Sequence, residues 1–326
     1  MPGRILAPIL PANTDTSHGS PLMVFHRADL IKALYHGLPP SAQANILQRR
    51  NVASITSDDT SASVTCSDGT TYTDSMILGA DGVYSLTRRL MRKHALAACP
   101  TADWDAEAPY KAEYKCMWCS FPRQGPAGHI TDTQGKDRSL MYLSGVELSW
   151  FFLYERLPEA TNARTRYTRD DMVAYAGKFM DVPVDETLRV RDVFDIETAG
   201  MTNLDEGVVK NLSWGRIALV GDACHKVTPN AGRGYVTGVQ DVVALANRLR
   251  ASLQSSPDGT LDNAAISGLF EDYRRTRMED MQVDISFSRH ATRLQAWGST
   301  AYYYVARHVM CWAFVQRFIH RFVNGL

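Results

Sequence analysis

The residues best suited to bind a cofactor lie in the segment 215–249, where an apolar run is followed by aspartate, histidine, proline and glycine. The run RIALV predicts a buried strand, and Asp222 follows its carboxyl end. A turn with Pro229 and Gly232 then leads to a helix that starts near Gly234. A carboxylate here can accept hydrogen bonds from a polyol such as ribitol, and free N–H groups at the helix start favour a pyrophosphate. For this segment alone, an ordinary strand, turn and helix capped by Asp222 is the simpler explanation.

A second group of candidate residues lies in GADGVYSLTRR, at residues 79–89. Asp81 and Gly82 follow an apolar run that predicts a buried strand, and Ser85 and Arg88 follow at helical spacing. Asp81 would either hold a ribose or order the loop. Arg88 would either neutralise a phosphate or anchor the motif through a carboxylate pair. Because both aspartates follow buried strands, we expect Asp81 and Asp222 to lie close together at strand ends of one domain.

Composition limits the classes of protein to consider. Of the 326 residues, 45% are hydrophobic, which predicts a globular chain with a large core or two joined cores. The 35 basic residues balance the 35 acidic ones, which argues against nucleic acid as a partner. Six cysteines and the lack of an apolar signal segment after Met1 predict an intracellular location, cytoplasmic or at a membrane surface.

The one Cys-x-x-Cys motif, Cys116 to Cys119, lies in the β-favouring run EYKCMWCSF. Residues three apart on a strand point to opposite faces, and no second pair of cysteines or histidines accompanies the motif at ligand spacing. We therefore predict neither redox chemistry nor a metal site there, and no metal site elsewhere in the chain.

The predicted elements alternate between helices and strands. A short amphipathic helix is expected at 26–39, a β-meander leading into a buried strand at 53–82, a second sheet at about 110–195 and a helix at 169–180. The helix after Gly234 has an apolar stripe that we expect to face the core: Val239, Val242, Val243, Ala246 and Leu249. The expected domain boundaries are 1–104 and 201–255 for two parts of a cofactor domain, 105–200 for an inserted sheet, and 256–326 for a helical region.

The C-terminal segment 301–326 is aromatic and basic. Basic residues interrupt it too often for a membrane span, which needs about 20 apolar residues. A helix packed on the protein body and a helix lying on a membrane surface both remain possible, and the first is favoured.

Together the motifs resemble those of class A FAD-dependent monooxygenases, the aromatic-hydroxylase family, and most closely its fungal secondary-metabolite branch. One family motif, Gly-Ala-Asp-Gly-x-x-Ser-x-x-Arg, is matched by residues 79–88. A later motif has Gly-Asp-Ala-x-His, then proline and Gly-x-Gly, and is matched by Gly221, Asp222, Ala223, His225, Pro229, Gly232 and Gly234. An earlier His-Arg-x-x-Leu matches His26, Arg27 and Leu30, and the similarity spans most of the chain.

The resemblance implies an α/β fold, in which an incomplete Rossmann-like FAD-binding domain is split around an inserted β-sheet substrate domain and followed by C-terminal helices. It also implies FAD as cofactor and NADPH as reductant. In the family, the arginine matched by Arg27 contacts FAD, and the aspartate matched by Asp222 meets the ribitol and pyrophosphate region. The expected cofactor-binding residues are Arg27, Asp81, Gly82, Arg88, Gly221, Asp222, Pro229, Gly232, Gly234 and Tyr235.

The chain departs from the family pattern at two places. The family begins with a strand, Gly-x-Gly-x-x-Gly and a helix, and the residues before Arg27 do not match this spacing. We therefore expect the first βαβ unit to be missing. At residues 235–236, Tyr235 and Val236 replace a small residue and an asparagine of the family pattern. Both changes are expected to weaken FAD binding, although a tyrosine could also stack on a flat ring.

Two functions of different classes follow, together with the possibility of an inactive fragment. The first is FAD-dependent hydroxylation or epoxidation of a hydrophobic secondary metabolite, such as a terpenoid, meroterpenoid or polyketide-derived intermediate. Candidate substrate-side groups are Tyr114, Tyr142, Trp150 and Phe152, with Arg123 less favoured, and core packing is the favoured role for each aromatic residue. The second is non-redox cyclisation or isomerisation without flavin, in which Asp222, His225 and Tyr235 line the pocket. The catalytic candidates are thus Tyr114, Tyr142 and His225.

Overall fold

The computed structural model describes residues 4–5, 24, 26–310, 312, 314–315 and 317. Its strands are β1 (Arg4–Ile5), β2 (Val52–Ser57), β3 (Ala62–Cys66), β4 (Thr71–Asp74), β5 (Ile77–Gly79), β6 (Lys111–Pro122), β7 (Ile130–Gly135), β8 (Arg138–Ser144), β9 (Leu148–Thr161), β10 (Gly200–Val208), β11 (Ser213–Trp214), β12 (Ile217–Leu219) and β13 (His225–Lys226). Its α-helices are α1 (Arg27–His36), α2 (Pro40–Gln43), α3 (Leu86–Ala98), α4 (Arg169–Gly177), α5 (Val190–Val193), α6 (Gly234–Ser255), α7 (Asn263–Gln295) and α8 (Thr300–Tyr304).

Two small sheets form the part of the fold that contains both aspartate motifs. Strands β2, β3 and β4 make the predicted meander. Strands β11, β12 and β5 make the second sheet, in which β12 and β5 run parallel and Leu219 pairs with Gly79. The α/β class expected from the sequence is confirmed, because this parallel pair packs beneath the long helices α6 and α7.

A seven-stranded sheet combines the strands of the inserted segment with β1 and β13 from outside it, in the order β1-β7-β8-β9-β6-β10-β13. The described pairings within it are antiparallel. Strand β10 begins at the expected boundary, residue 200, but continues to Val208 along β6. The sheet therefore extends beyond residue 200, because β10 supplies the backbone hydrogen bonds that β6 needs along that edge.

The two faces of this sheet bury different sets of side chains. One face buries Leu140, Phe151 and Leu153 against α4, which lies within the helix predicted at 169–180. The two cysteines of the CMWC motif lie on opposite faces, as predicted, since Cys116 and Cys119 belong to different hydrophobic clusters. Burial raises the pKa of both thiols, so both stay protonated near neutral pH.

The predicted orientation of the helix after Gly234 is wrong for its valines and Ala246, although Leu249 packs partly buried against the core as expected. In α6 the buried side chains are Thr237, Asp241 and Leu245. Val239 is 41% exposed, and Val242 and Val243 are more exposed still. Helix α6 has this orientation because Thr237 and Asp241 form hydrogen bonds within a polar network in the core. The valine face is left uncovered by the described part of the chain.

The ends of the described chain add two observations. Helix α1 confirms the helix predicted at 26–39, yet none of its described residues is buried, and Ile31 is 55% exposed. No helix within the described residues is long and apolar enough to cross a membrane. For the C-terminal segment 301–326, packing on the protein body or on a membrane surface was considered. Residues 301–309 are helical, and most of the residues after 310 lie outside the described part of the chain.

Candidate cofactor and substrate site

The two aspartate motifs meet at one edge of the small parallel sheet. Strands β5 and β12 run side by side in the same direction, so Asp81 and Asp222 both follow strands at their shared carboxyl edge. This confirms the placement expected from the sequence. In an open α/β sheet, ligands bind just outside the carboxyl ends of the strands.

The carboxylate of Asp81 orders its own loop. One oxygen accepts a hydrogen bond from the Ser85 hydroxyl, and the other accepts from the Thr87 N–H and hydroxyl, at 2.9 and 3.1 Å. Ser85 in turn caps α3 by accepting from the Arg88 N–H at 2.9 Å. Asp81 was expected either to hold a ribose or to order the loop, and in the structure it orders the loop.

Arg88 connects the two motifs. The residue is 6% exposed, and its guanidinium donates to the Ala223 carbonyl at 2.7 Å and to the Val83 carbonyl at 2.8 Å. It also lies 4.8 Å from the ring centroid of Tyr110, whose hydroxyl donates to the Asp222 carbonyl. Arg88 therefore anchors the two motifs, which is one of the two roles predicted for it. It does so through backbone carbonyls and not through a carboxylate pair.

Three glycines give this edge an open backbone. Gly82, Gly221 and Gly232 have φ angles of +80°, +60° and +66°, which only glycine adopts without strain. A Cβ atom built on any of the three would meet no atom within 4 Å. The residue types are therefore required by conformation, and the space beside them is free for a close-lying ligand.

Asp222 and the start of α6 are the polar groups that face this space. The Asp222 side chain is 36% exposed and pairs with the Lys226 ammonium at 2.5 Å. Helix α6 begins at Gly234, as predicted, and its first turn leaves N–H groups that lack an intrahelical partner. Tyr235, at 55% exposure, is on the outer side of this turn. Together these groups suit an anionic and hydroxyl-bearing ligand such as a pyrophosphate with an attached polyol.

Other predicted residues are placed differently. Arg27 is exposed at the start of α1, and its side chain makes no hydrogen bond or ion pair with another described residue. Pro229 opens the short turn before Gly232 and is exposed. His225 is 1% exposed, so it lies behind the motif and does not border the open space.

A buried network that the sequence analysis missed supports the motif from behind. Asp241 accepts hydrogen bonds from His225 Nε2 at 2.6 Å, from the Gly221 N–H at 2.9 Å and from Arg277 Nε at 2.9 Å. Burial alone would raise the pKa of Asp241, but the hydrogen bond and charge of His225, with the other two donors, hold it below the usual value. Asp241 is thus ionised, and it fixes Gly221 and His225 together. A single acidic residue within the valine-rich run of α6 was the available signal.

One group of residues within the described part of the chain has a spacing suited to a metal ion: Cys224, His225 and Asp241, with ligand atoms within 4.8 Å of one another. The carboxylate of Asp241 is already bonded to three donors. Burial raises the pKa of the Cys224 thiol well above its usual value, whereas a metal takes a thiolate. Hydrogen bonding within the core accounts for this group.

The sheet face opposite α4 carries a partly exposed apolar surface, which we call the aromatic face: Trp118, Met141, Leu143, Trp150 and Phe152. The strand register places them together, since Phe152 pairs with both Trp118 and Met141, and Leu143 pairs with Trp150. Trp118 is 38% exposed, and the others are half-buried. The aromatic face is an apolar surface of the kind that binds flat hydrophobic molecules.

The remaining substrate-side candidates lie off the aromatic face. Tyr142 belongs to the core against α4, is wholly buried, and donates to the Gln124 carbonyl at 3.1 Å. Tyr114 shares the side of the aromatic face but is covered, with the Arg293 guanidinium 5.8 Å from its ring centroid. Arg123 is exposed in a loop and donates to the Val146 carbonyl. Of the aromatic residues singled out from the sequence, Trp150 and Phe152 therefore face the accessible side.

Comparisons with known proteins agree with this geometry. A family model described as FAD binding domain matches residues 10–269. The FAD-dependent monooxygenase SAT1 of Stachybotrys chartarum is 43% identical over 195 residues, covering 59% of this chain and 66% of that protein. The FAD-dependent monooxygenase spyC of Aspergillus fumigatus is 31% identical over 289 residues, covering 85% of this chain and 60% of that protein. The chain thus spans a little under two thirds of the length of these relatives.

Solved structures share the fold at low sequence identity. Klebsiella pneumoniae HpxO complexed with FAD and uric acid superposes with a TM-score of 0.70 at 18% identity, over 96% of this chain and 74% of that one. A salicylate hydroxylase substrate complex superposes with a TM-score of 0.61 at 18% identity, over 92% of this chain and 72% of that one. Both are similar to this chain in overall architecture.

Proposed function

This chain belongs to the FAD-binding-domain family, in its fungal class A monooxygenase branch, and on that premise we propose that it binds FAD and acts as an FAD-dependent monooxygenase on a hydrophobic small molecule. One observation carries the proposal. Gly82, Gly221 and Gly232, together with Asp222 and the first turn of α6, form a polar site that we call the cradle. The cradle lies in the same fold as the partly exposed aromatic face. A polar cradle and an apolar surface are the two environments that a flavin nucleotide and a hydrophobic substrate need.

The residues of the cradle fit FAD by their chemistry. The first turn of α6 would hold the pyrophosphate through backbone N–H groups, and Gly232 lets the main chain approach the cofactor closely. Asp222 would accept hydrogen bonds from ribitol hydroxyls and exchange the Lys226 ammonium for them. Arg88 and Asp241 hold the two motifs in place from the interior without facing the ligand. When bound, FAD would supply the redox chemistry and oxygen activation, with NADPH as reductant.

The aromatic face would bind and orient the substrate. Its side chains include no ionisable group, so recognition there rests on shape and on stacking against Trp118, Trp150 and Phe152. The same apolar surface excludes water from the reacting atoms. A terpenoid, meroterpenoid or polyketide-derived secondary metabolite matches these properties.

The flavin-free alternative lacks comparable support. It requires His225 to border the pocket as an acid or base, and His225 is 1% exposed and bonded to Asp241. An imidazole in that position orders the motif and has no route to a substrate in the open space. We therefore propose the flavin-dependent activity alone.

Substitution of Gly232 tests the cradle. Gly232→Ala forces alanine into a left-handed conformation, which should cost about 1–2 kcal/mol of folding stability. Its Cβ would also project into the space proposed for FAD, so affinity measured by quenching of flavin fluorescence should fall about tenfold, equivalent to about 1.4 kcal/mol.

The matched control is Gly259→Ala. Gly259 has a φ of +70° and open space around its Cβ position, but it lies in the loop between α6 and α7. The Gly259→Ala variant should lose about as much folding stability as Gly232→Ala and should bind FAD with the affinity of the wild type. If both variants bind FAD alike, the turn at Gly232 does not contact the cofactor.

A further inference from the structure

A chain of side-chain hydrogen bonds joins the inserted sheet to the turn that precedes α6. Asp132 on β7 accepts a hydrogen bond from Gln295 Nε2 at 2.8 Å. Gln295 Oε1 accepts from Asn230 Nδ2 at 2.5 Å, and Asn230 Oδ1 accepts from the Thr292 hydroxyl at 2.8 Å. Asn230 lies in the turn Pro229–Ala231, directly before Gly232. The chain therefore runs from the sheet to the proposed cofactor cradle.

Asp132 stands where the two parts of the proposed site meet. It pairs across the strands with Met141, which in turn pairs with Phe152, so it lies beside the aromatic face. Its side chain is buried, with the residue 7% exposed. None of the proposed cofactor or substrate contacts uses this carboxyl group.

The ionised state of Asp132 fixes the direction of the whole chain. A carboxylate only accepts hydrogen bonds, so Gln295 must turn its NH₂ group toward Asp132 and its carbonyl toward Asn230. Asn230 must then turn its NH₂ group toward Gln295 and its carbonyl toward Thr292. A protonated Asp132 can donate instead, and both amides can then reverse, because the Thr292 hydroxyl can accept as well as donate.

We propose that Asp132 is a positioning residue for the proposed cofactor site, which sets the orientation of the Asn230 amide in the turn before Gly232 through Gln295. The inference rests on the proposed function for its effect on FAD, whereas the amide orientation itself does not. Protonation of Asp132 then exchanges the positions of the NH₂ group and the carbonyl group of the Asn230 amide in this turn.

Several titratable and charged groups lie around Asp132. Burial raises the pKa of Asp132 to about 6, partly offset by the Gln295 hydrogen bond. In the same sheet, Tyr154 on β9 and Cys116 on β6 also have pKa values raised by burial, so both stay neutral in the acid range. From α7, Arg293 pairs with Glu206 and Glu113, and His290 bonds the Tyr302 hydroxyl. On β1, Arg4 pairs in register with Gln134 of β7.

The sign of the pH effect follows. Above the Asp132 pKa the carboxylate holds Asn230 in the orientation seen here, and below it this constraint is lost. FAD affinity, measured by flavin fluorescence quenching, should fall about fivefold between pH 8 and pH 5, the change expected from one ordered hydrogen bond. Asp132→Asn has no titratable group and should bind FAD equally at both pH values.

The test that does not depend on FAD is a pH titration of the side-chain amide NMR signals of the full chain. In the wild type, the Asn230 and Gln295 signals should shift with a midpoint near the Asp132 pKa, and in Asp132→Asn they should stay constant. Gln295→Met should also abolish the Asn230 titration, and it provides a second variant if Asp132→Asn folds poorly. His290→Gln is the control, and in this variant the Asn230 and Gln295 amide signals should titrate as they do in the wild type.

The outcomes separate the two proposals. Amide signals that do not titrate, or that titrate equally in Asp132→Asn, overturn the role of Asp132. So does an FAD affinity that is the same at pH 8 and pH 5 in the wild type. If FAD binds to no form of the protein, the proposed function fails, and the amide titration alone decides the role of Asp132.

Discussion

Replacing Asp241 by asparagine is expected to lower the free energy of unfolding by about 3–5 kcal/mol, the cost of breaking one side of a buried ion pair. Asp241 is wholly buried and bonds Arg277, His225 and the Gly221 N–H. Asparagine keeps the shape of the side chain but removes its charge, which leaves the Arg277 guanidinium without its buried partner. Urea denaturation of the full chain measures the change.

Asp280→Asn is the matched control, because Asp280 is the other carboxylate bonded to Arg277. Its side chain is 61% exposed, so solvent screens the interaction. An exposed pair of this kind contributes about 0–1 kcal/mol. If the two variants unfold at the same urea concentration, the buried network does not hold the motif together.

Replacing Asp222 by alanine is expected to weaken FAD binding at least about tenfold, because hydrogen bonds to a charged group contribute about 1.5–3 kcal/mol. Asp222 is the partly exposed carboxylate at the carboxyl edge of the parallel strands. Its loss removes the acceptor proposed for the ribitol hydroxyls, while the fold keeps Arg88 and Asp241 as anchors. Titration with FAD, followed by quenching of flavin fluorescence, gives the affinity.

Asp170→Ala controls for the loss of a negative charge. Asp170 is exposed in the first turn of α4, which packs on the far face of the seven-stranded sheet. FAD affinity in this variant should equal that of the wild type. Equal affinities in Asp222→Ala and Asp170→Ala would show that Asp222 is not a cofactor ligand.

The parts of the fold that follow from local sequence were predictable. The apolar run before Asp222, the turn with its glycines and the helix start at Gly234 have strong local signals, and the structure has each of them where expected. The parallel neighbours β5 and β12 followed from two apolar runs that are each followed by an aspartate, although the expected burial holds for β12 and not for β5, where Leu78 is 46% exposed. These features depend on hydrophobic burial and backbone conformation, which a short stretch of chain determines.

The interior of α6 was not predictable in the same way. Hydrophobic spacing favoured a buried valine stripe, whereas the structure buries Thr237 and Asp241. The partner that makes this possible, Arg277, comes from a densely charged stretch of α7 that is typical of an exposed surface. Only the tertiary pairing of two helices shows that one arginine of that stretch is buried.

Side-chain direction on the inserted sheet also required the structure. Tyr142 and Phe152 are both strand residues with the same local pattern, but they point to opposite faces of the sheet. The register across β8 and β9 decides which face each one takes, and a shift by one residue would exchange them. Sequence alternation separates the two faces of a strand but does not say which face packs on α4.

The central claim, that this chain carries a functional FAD cradle, is tested most directly by equilibrium titration of the wild-type protein with FAD. We predict saturable quenching of flavin fluorescence and a bound-flavin absorption spectrum that stays with the protein. Gly232→Ala and Asp222→Ala should shift the titration to higher FAD concentration. A protein that remains colourless and leaves flavin fluorescence unchanged up to about millimolar FAD, where binding free energy is only about 4 kcal/mol, would contradict the claim.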